Sequence, residues 1–87
     1  MATTSDHQSR MYSSQLNFLI RDLLQTLSNI DFAHQLEIEK VETSKSDAEM
    51  KEYIKDKLQW SHQQRRQPYV ALLDELRRKQ HQQSFAA

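Results

Sequence analysis

The sequence predicts an all-α protein, a small helical hairpin or bundle of three to four helices that is completed by self-association. The first observation is that the 87-residue chain contains no glycine, where average usage of about 7% would give roughly six. Gly-rich phosphate loops and primed β-hairpin turns depend on glycine for positive φ, so both are excluded. The second is that apolar residues recur at helical spacing, and the third is a helix-capping signal at mid-chain.

The size and composition fit one small domain. The chain weighs 10.4 kDa and has no cysteine, so neither a disulfide nor a cysteine-based zinc site can stabilise it. Leu, Ile, Val and Phe make up 19 of the 87 residues, just above the roughly 20% level below which disorder is expected. A domain this short buries only about 60% of its unfolded surface. Tight helix packing or oligomerisation must therefore supply its stability.

The first predicted helix carries the longest apolar pattern. Residues 1–12 before it are polar and aperiodic, which predicts a disordered N-terminal tail. Ser13 and Ser14 can cap the helix. Its apolar positions are spaced by 4, 3, 4 and 3 residues, a two-heptad pattern that we call the first apolar stripe: Leu16, Ile20, Leu23, Leu27 and Ile30. Leu19 and Leu24 are expected to widen this stripe.

A break is predicted near residues 28–31, after which residues 31–43 would form a second helix. Three residues there favour caps and turns over helix interiors: Ser28, Asn29 and Asp31. The apolar stripe also stops there. The alternative is one continuous helix from residue 13 to residue 43.

The second half of the chain begins with a polar link at Thr43–Lys45. Ser46-Asp47-Ala48-Glu49 then matches the S-x-x-E capping box. The next helix has an apolar side formed by Met50, Tyr53, Ile54, Leu58 and Trp60. Pro68 should end it and begin a last helix, because the residue before a proline is pushed out of the α region. The last helix has one apolar face, formed by Tyr69, Leu72, Leu73 and Leu76. The predicted helical domain thus covers residues 13–82, and residues 83–87 are expected to form a frayed tail.

No arrangement of side chains predicts catalysis. The four histidines are scattered, and the H-E-x-x-H pattern is missing from the sequence. Asp31 and His34 lie one turn apart, as in metal-binding bundles, but such bundles need several pairs that converge on one core. No serine is distinguished as a nucleophile. We therefore expect no catalytic, metal-binding or cofactor-binding residue and no enzymatic activity.

The neutral net charge conceals an asymmetry. Residues 1–56 have a net charge of −4 and residues 57–87 one of +4. The basic end contains five residues that we call the basic cluster: Arg65, Arg66, Arg77, Arg78 and Lys79. Such asymmetry can indicate a nucleic-acid or acidic partner. The preferred interpretation is that the basic end pairs with the acidic middle of the chain, within or between subunits. Asp74 and Glu75 are also placed for i,i+4 pairs with Arg78 and Lys79.

The leading hypothesis is a non-catalytic helical protein-interaction or adaptor module that self-associates as a homodimer or larger assembly, or binds another helical protein. The predicted interface consists of Leu16, Ile20, Leu23 and Leu27, with a closing face of Leu72, Leu73 and Leu76. The same stripe can equally form the core of one subunit. The alternative function is binding of an RNA or DNA duplex, in which the basic cluster contacts phosphates. Trp60 could then stack on a base, but a core or interface role is favoured for this residue.

The expected location is the cytoplasm or nucleus, as a soluble intracellular protein without a membrane partner. The longest strongly apolar run is three residues, Phe18 to Ile20. That length is too short for a membrane span or the core of a signal peptide.

Overall fold

Two long helices form an antiparallel hairpin. The computed structural model describes the backbone of residues 2–86 and the side chains of residues 14–82. Helix α1 spans Ala2–Thr43 and helix α2 spans Ala48–Ala86. No strand occurs among these described residues, which confirms the all-α prediction. One chain contains two helices, however, and not the three or four that were expected, because two predicted breaks are absent.

The hairpin is long and thin. Its Cα extents are 68 × 15 × 15 Å, consistent with a 42-residue helix at about 1.5 Å per residue. Both helices extend into the segments predicted as tails, residues 1–12 and 83–87. The side chains of those segments lie outside the described residues, so the tails stay predictions.

Helix α1 runs without interruption through residues 28–31, so the predicted break was wrong and the continuous alternative is correct. Polar side chains end a helix only where they bond to its backbone. Here Asn29 accepts a hydrogen bond from the Gln25 side chain at 3.0 Å. Asp31 bonds across to α2. These contacts remove the competition with the helical backbone that the sequence predicted.

The turn between the helices is closed without glycine. A helix commonly ends on a glycine at positive φ, but no described residue has positive φ. Instead, the Thr43 hydroxyl donates to the carbonyl of Glu39 at 2.9 Å, and the Ser44 hydroxyl donates to that of Val41 at 2.7 Å. The backbone N–H of Ser44 donates to the same carbonyl of Val41 at 3.1 Å, so the last turn of α1 ends on bonds from hydroxyl and backbone groups.

Asp47, rather than Ser46, caps α2. Its Oδ1 accepts a hydrogen bond from the backbone N–H of Met50 at 2.8 Å, the usual geometry of an N-cap. The predicted capping box was therefore wrong by one residue. Serine and aspartate cap similarly well, but aspartate also places a negative charge at the positive end of the helix dipole.

Pro68 lies inside α2, so the prediction that it separates two helices was wrong. Proline removes one helical hydrogen bond and crowds the carbonyl four residues earlier, here that of Gln64. Both residues are exposed, so water can reach the freed carbonyl. On either side of the proline α2 contacts α1, through Arg66 and through Leu73. These contacts keep the two halves of α2 in one helix.

The core is a small leucine cluster towards the open end of the hairpin. Its buried members are Leu16, Leu23, Leu27, Leu73 and Leu76, with Ile20 and Val70 packed against them. Leu19 and Leu24 remain substantially exposed, so the first apolar stripe is narrower than expected. Each helix of a hairpin has a single neighbour, which covers the central positions of a stripe and leaves its flanks open.

Candidate functional site

A polar cluster joins the two helices at mid-length. Nη1 of Arg66 donates to Oδ1 and Oδ2 of Asp31 at 2.6 and 2.7 Å. His62 lies one turn before Arg66, and its Nε2 is 2.7 Å from Oδ1 of Asp31. A single carboxylate on α1 therefore holds two side chains of α2. These contacts fix the register of α2 relative to α1.

Two imidazole rings stack beside that carboxylate. The rings of His34 and His62 are almost parallel, at 7°, with centroids 4.0 Å apart. Burial lowers the pKa of His34, and His62 lowers it further, while Glu37 and Asp31 oppose the change. The hydrogen bond from His62 lowers the pKa of Asp31 against the effect of its own burial, and Arg66 lowers it further. The folded hairpin therefore favours an ionised Asp31 and a neutral His34.

This polar cluster is a contact between the two helices and does not form a pocket. The gap beside His34 and His62 has a volume of about 10 Å³, whereas small-molecule sites occupy roughly 300–1,000 Å³. Within the described part of the chain, no group of three or more His, Asp or Glu side chains is placed to hold a metal ion. The Asp31–His34 spacing noted in the sequence serves contacts between helices instead.

The basic cluster is divided by the structure. Arg66 faces α1 and pairs with Asp31, which is a contact between the basic end and the acidic middle of the chain. Arg65, Arg77 and Arg78 are exposed. Twelve residues separate Arg65 from Arg77, or roughly 18 Å along a helix. The five residues therefore do not form one compact patch.

The last turns of the described part of α2 carry the remaining basic residues. Lys79 Nζ lies 3.8 Å from Oε1 of Glu75, one of the predicted i,i+4 pairs. Arg77 and Arg78 line an open groove of about 410 Å³ with Asp74. The acidic residues beside these arginines reduce the positive potential of this end.

The predicted protein interface lies in and beside the core of one chain. Its buried members are Leu16, Leu23, Leu27, Leu73 and Leu76, while Ile20 is half-buried and Leu72 is more exposed. The stripe and its predicted closing face thus pack against each other within a single hairpin. Their contact with a second chain stays a prediction.

Helix α2 also presents aromatic residues away from α1. The sequence predicted that Tyr53 and Trp60 share one apolar side of the helix with Ile54 and Leu58. In the structure Ile54 and Leu58 are half-buried, whereas Tyr53 is 57% and Trp60 67% exposed. Their seven-residue spacing, which places both on one line along a helix, was the sequence signal for a separate face.

Two charged residues lie between these aromatic rings. Lys57 Nζ is 5.1 Å from the centroid of the Tyr53 ring, within range of a cation–π contact. Asp56 precedes Lys57, and a shallow groove of about 630 Å³ runs along this surface. We call Tyr53, Asp56, Lys57 and Trp60 the outward face of α2.

Comparisons with protein-family models, with curated proteins and with solved structures found no match to this chain. The described residues contain no helix that is both long and apolar enough to cross a bilayer.

Proposed function

We propose that this chain is a non-catalytic protein-interaction module that self-associates as a helical hairpin. The observation that supports the proposal is the amount of surface left uncovered. The chain exposes 7237 Å², whereas a compact monomer of 10.4 kDa exposes roughly 5,400 Å². Its radius of gyration is 19.8 Å, against roughly 12 Å for a compact domain of this length.

The uncovered surface includes many apolar side chains. Among the described residues, ten large hydrophobic side chains are at least 37% exposed, and five are buried. Surfaces of this kind commonly mark protein interaction sites. The excess area, roughly 1,800 Å² per chain, is of the size that an obligate homodimer buries. A second hairpin would thus supply the packing that two helices alone lack, and would give four helices in all.

Sedimentation equilibrium of the full chain tests this proposal. We expect the mean mass to rise above 10.4 kDa as the protein concentration increases, because self-association follows mass action. We also expect the midpoint of thermal unfolding to rise with concentration. A mass of one chain at every concentration, together with a constant unfolding midpoint, would contradict the proposal.

Binding of an RNA or DNA duplex is the second proposal. It is supported by the exposure of Arg65, Arg77 and Arg78, which leaves their guanidinium groups accessible to phosphates. It is weakened by the ion pairs that Arg66 and Lys79 make within the chain. Base stacking by Trp60 is also less favoured, because the neighbouring His62 turns towards Asp31.

Replacing Arg77 and Arg78 with alanine separates the two proposals. For a duplex-binding protein, affinity for unrelated duplexes would fall alike, and the salt dependence would flatten by about two units. We expect instead that the weak binding of the wild type changes little, as in the control variant Arg21→Ala. Fluorescence anisotropy with labelled duplexes at two salt concentrations measures this. A wild-type Kd below roughly micromolar at physiological salt would favour the nucleic-acid proposal.

A further inference from the structure

We propose that a second copy of this chain docks on the outward face of α2, so that Tyr53 and Trp60 become buried between two hairpins. This inference rests on the proposed self-association and names the surface responsible for it. An interface made by the same face on both copies is isologous, and it closes as a two-fold dimer.

The position of the outward face makes it available to a partner. His62 and Arg66 lie on the side of α2 that contacts α1. At about 100° per residue, Tyr53 and Trp60 lie on the opposite side of the helix from His62. Packing within the hairpin therefore cannot cover them, and only another molecule can.

The outward face is extended by Met50, which lies one turn before Tyr53 and is 50% exposed. Met50, Tyr53, Lys57 and Trp60 follow one another at spacings of 3, 4 and 3 residues, the pattern of a helix that packs along another helix. The alkyl stem of Lys57 can take part in such packing while its ammonium group reaches solvent. These positions span about 15 Å of helix, and the groove of about 630 Å³ lies beside them.

The outward face of α1 is a weaker candidate for this contact. Phe18 and Phe32 are as exposed as the α2 aromatics, but 14 residues, or roughly 21 Å, separate them. Between them lie Gln25 and Asn29, whose side chains bond to each other. Leu19 beside Phe18 and Leu36 one turn after Phe32 are also exposed, so α1 presents two apolar patches that this polar pair separates.

Charge supports a second copy as the occupant. The chain has a formal net charge of zero, so two copies approach each other without long-range repulsion, and proteins near zero net charge tend to associate. The outward face carries one acid and one base, Asp56 and Lys57. Such a face attracts neither a polyanion nor a polycation, whereas aromatic rings are the commonest anchors of protein interfaces.

Trp60 is the only tryptophan of the chain, so its fluorescence reports on this face in the unmodified protein. We expect the emission to shift to shorter wavelength, and acrylamide quenching to weaken, over the concentration range in which sedimentation shows association. Emission that stays that of an exposed indole while the protein associates would overturn the proposed surface and leave self-association standing. A protein that never associates would overturn both.

Variants provide the second measurement. Truncation of an aromatic anchor typically weakens an interface strongly, so we expect Trp60→Ala to raise the dimer Kd about 30-fold and Tyr53→Ala to raise it at least severalfold. Phe32→Ala is the matched control, because Phe32 and Trp60 are both 67% exposed. Since all three side chains are exposed, circular dichroism should show unchanged helix content. An equal effect of Phe32→Ala, or no effect of Trp60→Ala, would overturn the assignment.

Discussion

Replacing Leu23 with aspartate is expected to abolish the folded hairpin. Leu23 is one of five buried leucines, against which Ile20 and Val70 pack, and none of these apolar side chains can pair with a carboxylate. Burying an unpaired charge, or unfolding to avoid it, costs more than about 4 kcal/mol. That loss is comparable to the whole stability of a small domain, about 5–15 kcal/mol. Thermal unfolding followed by far-UV circular dichroism should show no cooperative transition.

The adjacent residue provides the control for this variant. Leu24 is 43% exposed where Leu23 is 8% exposed, so a carboxylate at position 24 remains in water. We expect Leu24→Asp to change the free energy of unfolding by less than about 1 kcal/mol. If Leu23→Asp unfolded like the wild type, or if the two variants behaved alike, the placement of Leu23 in the core would be wrong.

Replacing Asp31 with alanine is expected to lower the free energy of unfolding by about 2 kcal/mol. The change removes two charged hydrogen-bonded contacts, with Arg66 and with His62, each of a kind typically worth about 1.5–3 kcal/mol. The Asp31 side chain is 43% exposed, so solvent screening reduces that sum. Urea unfolding of the variant and the wild type measures the difference.

Asp22→Ala is the matched control for Asp31→Ala. Asp22 lies on the same helix, is exposed and gains the same helix propensity on replacement by alanine. We expect this control to unfold like the wild type or slightly later. Equal stabilities of the two variants would show that the contacts of Asp31 add nothing to the hairpin.

The pH dependence of stability has a definite sign. His34 has an ordinary pKa of 6.5, which the fold lowers mainly by burial. Its contribution to the free energy of unfolding is therefore complete above pH 6.5 and is lost as the pH falls towards the pKa of the folded state. Asp31 has an ordinary pKa of 3.8, lowered chiefly by the hydrogen bond from His62. Its contribution to the free energy of unfolding is complete above pH 3.8 and is lost as the pH falls through the lower pKa of the folded state.

Acidification should therefore destabilise the wild type in two steps, and Asp31→Ala should lack the second. The midpoint of urea unfolding, followed as the pH decreases from neutral, measures both steps. A midpoint urea concentration that rises as the pH falls from 7 to 5 would contradict the lowered pKa of His34.

Local signals in the sequence were sufficient for some features of the fold. The lack of glycine predicted helices joined by a polar turn, and Thr43 and Ser44 close that turn with their hydroxyl groups. The spacing of Leu16, Leu23 and Leu27 predicted a buried stripe, and all three are buried. Glycine content and apolar spacing act within a few residues, so they can be evaluated without knowing the partner helix.

Other local signals were outweighed by contacts between the helices. Asn29 and Asp31 predicted a break, and Pro68 predicted a helix boundary, yet both helices run through. Propensities of this kind amount to about 1 kcal/mol or less per ordinary residue, and about 3 kcal/mol for proline. The contacts that Arg66 and Leu73 make with α1, on either side of Pro68, oppose that cost.

The sequence by itself determined that this chain is helical, where its turn lies within a residue or two, and which stripe of α1 is buried. The tertiary structure alone decided that Asp31 meets His62 and Arg66, 31 and 35 residues away, and that Tyr53 and Trp60 face outwards while Ile54 and Leu58 face α1. The reason is that α2 carries apolar side chains on more than one side, so its periodicity does not say which side receives the neighbouring helix. That choice depends on the register of the hairpin, which contacts distant in the sequence establish.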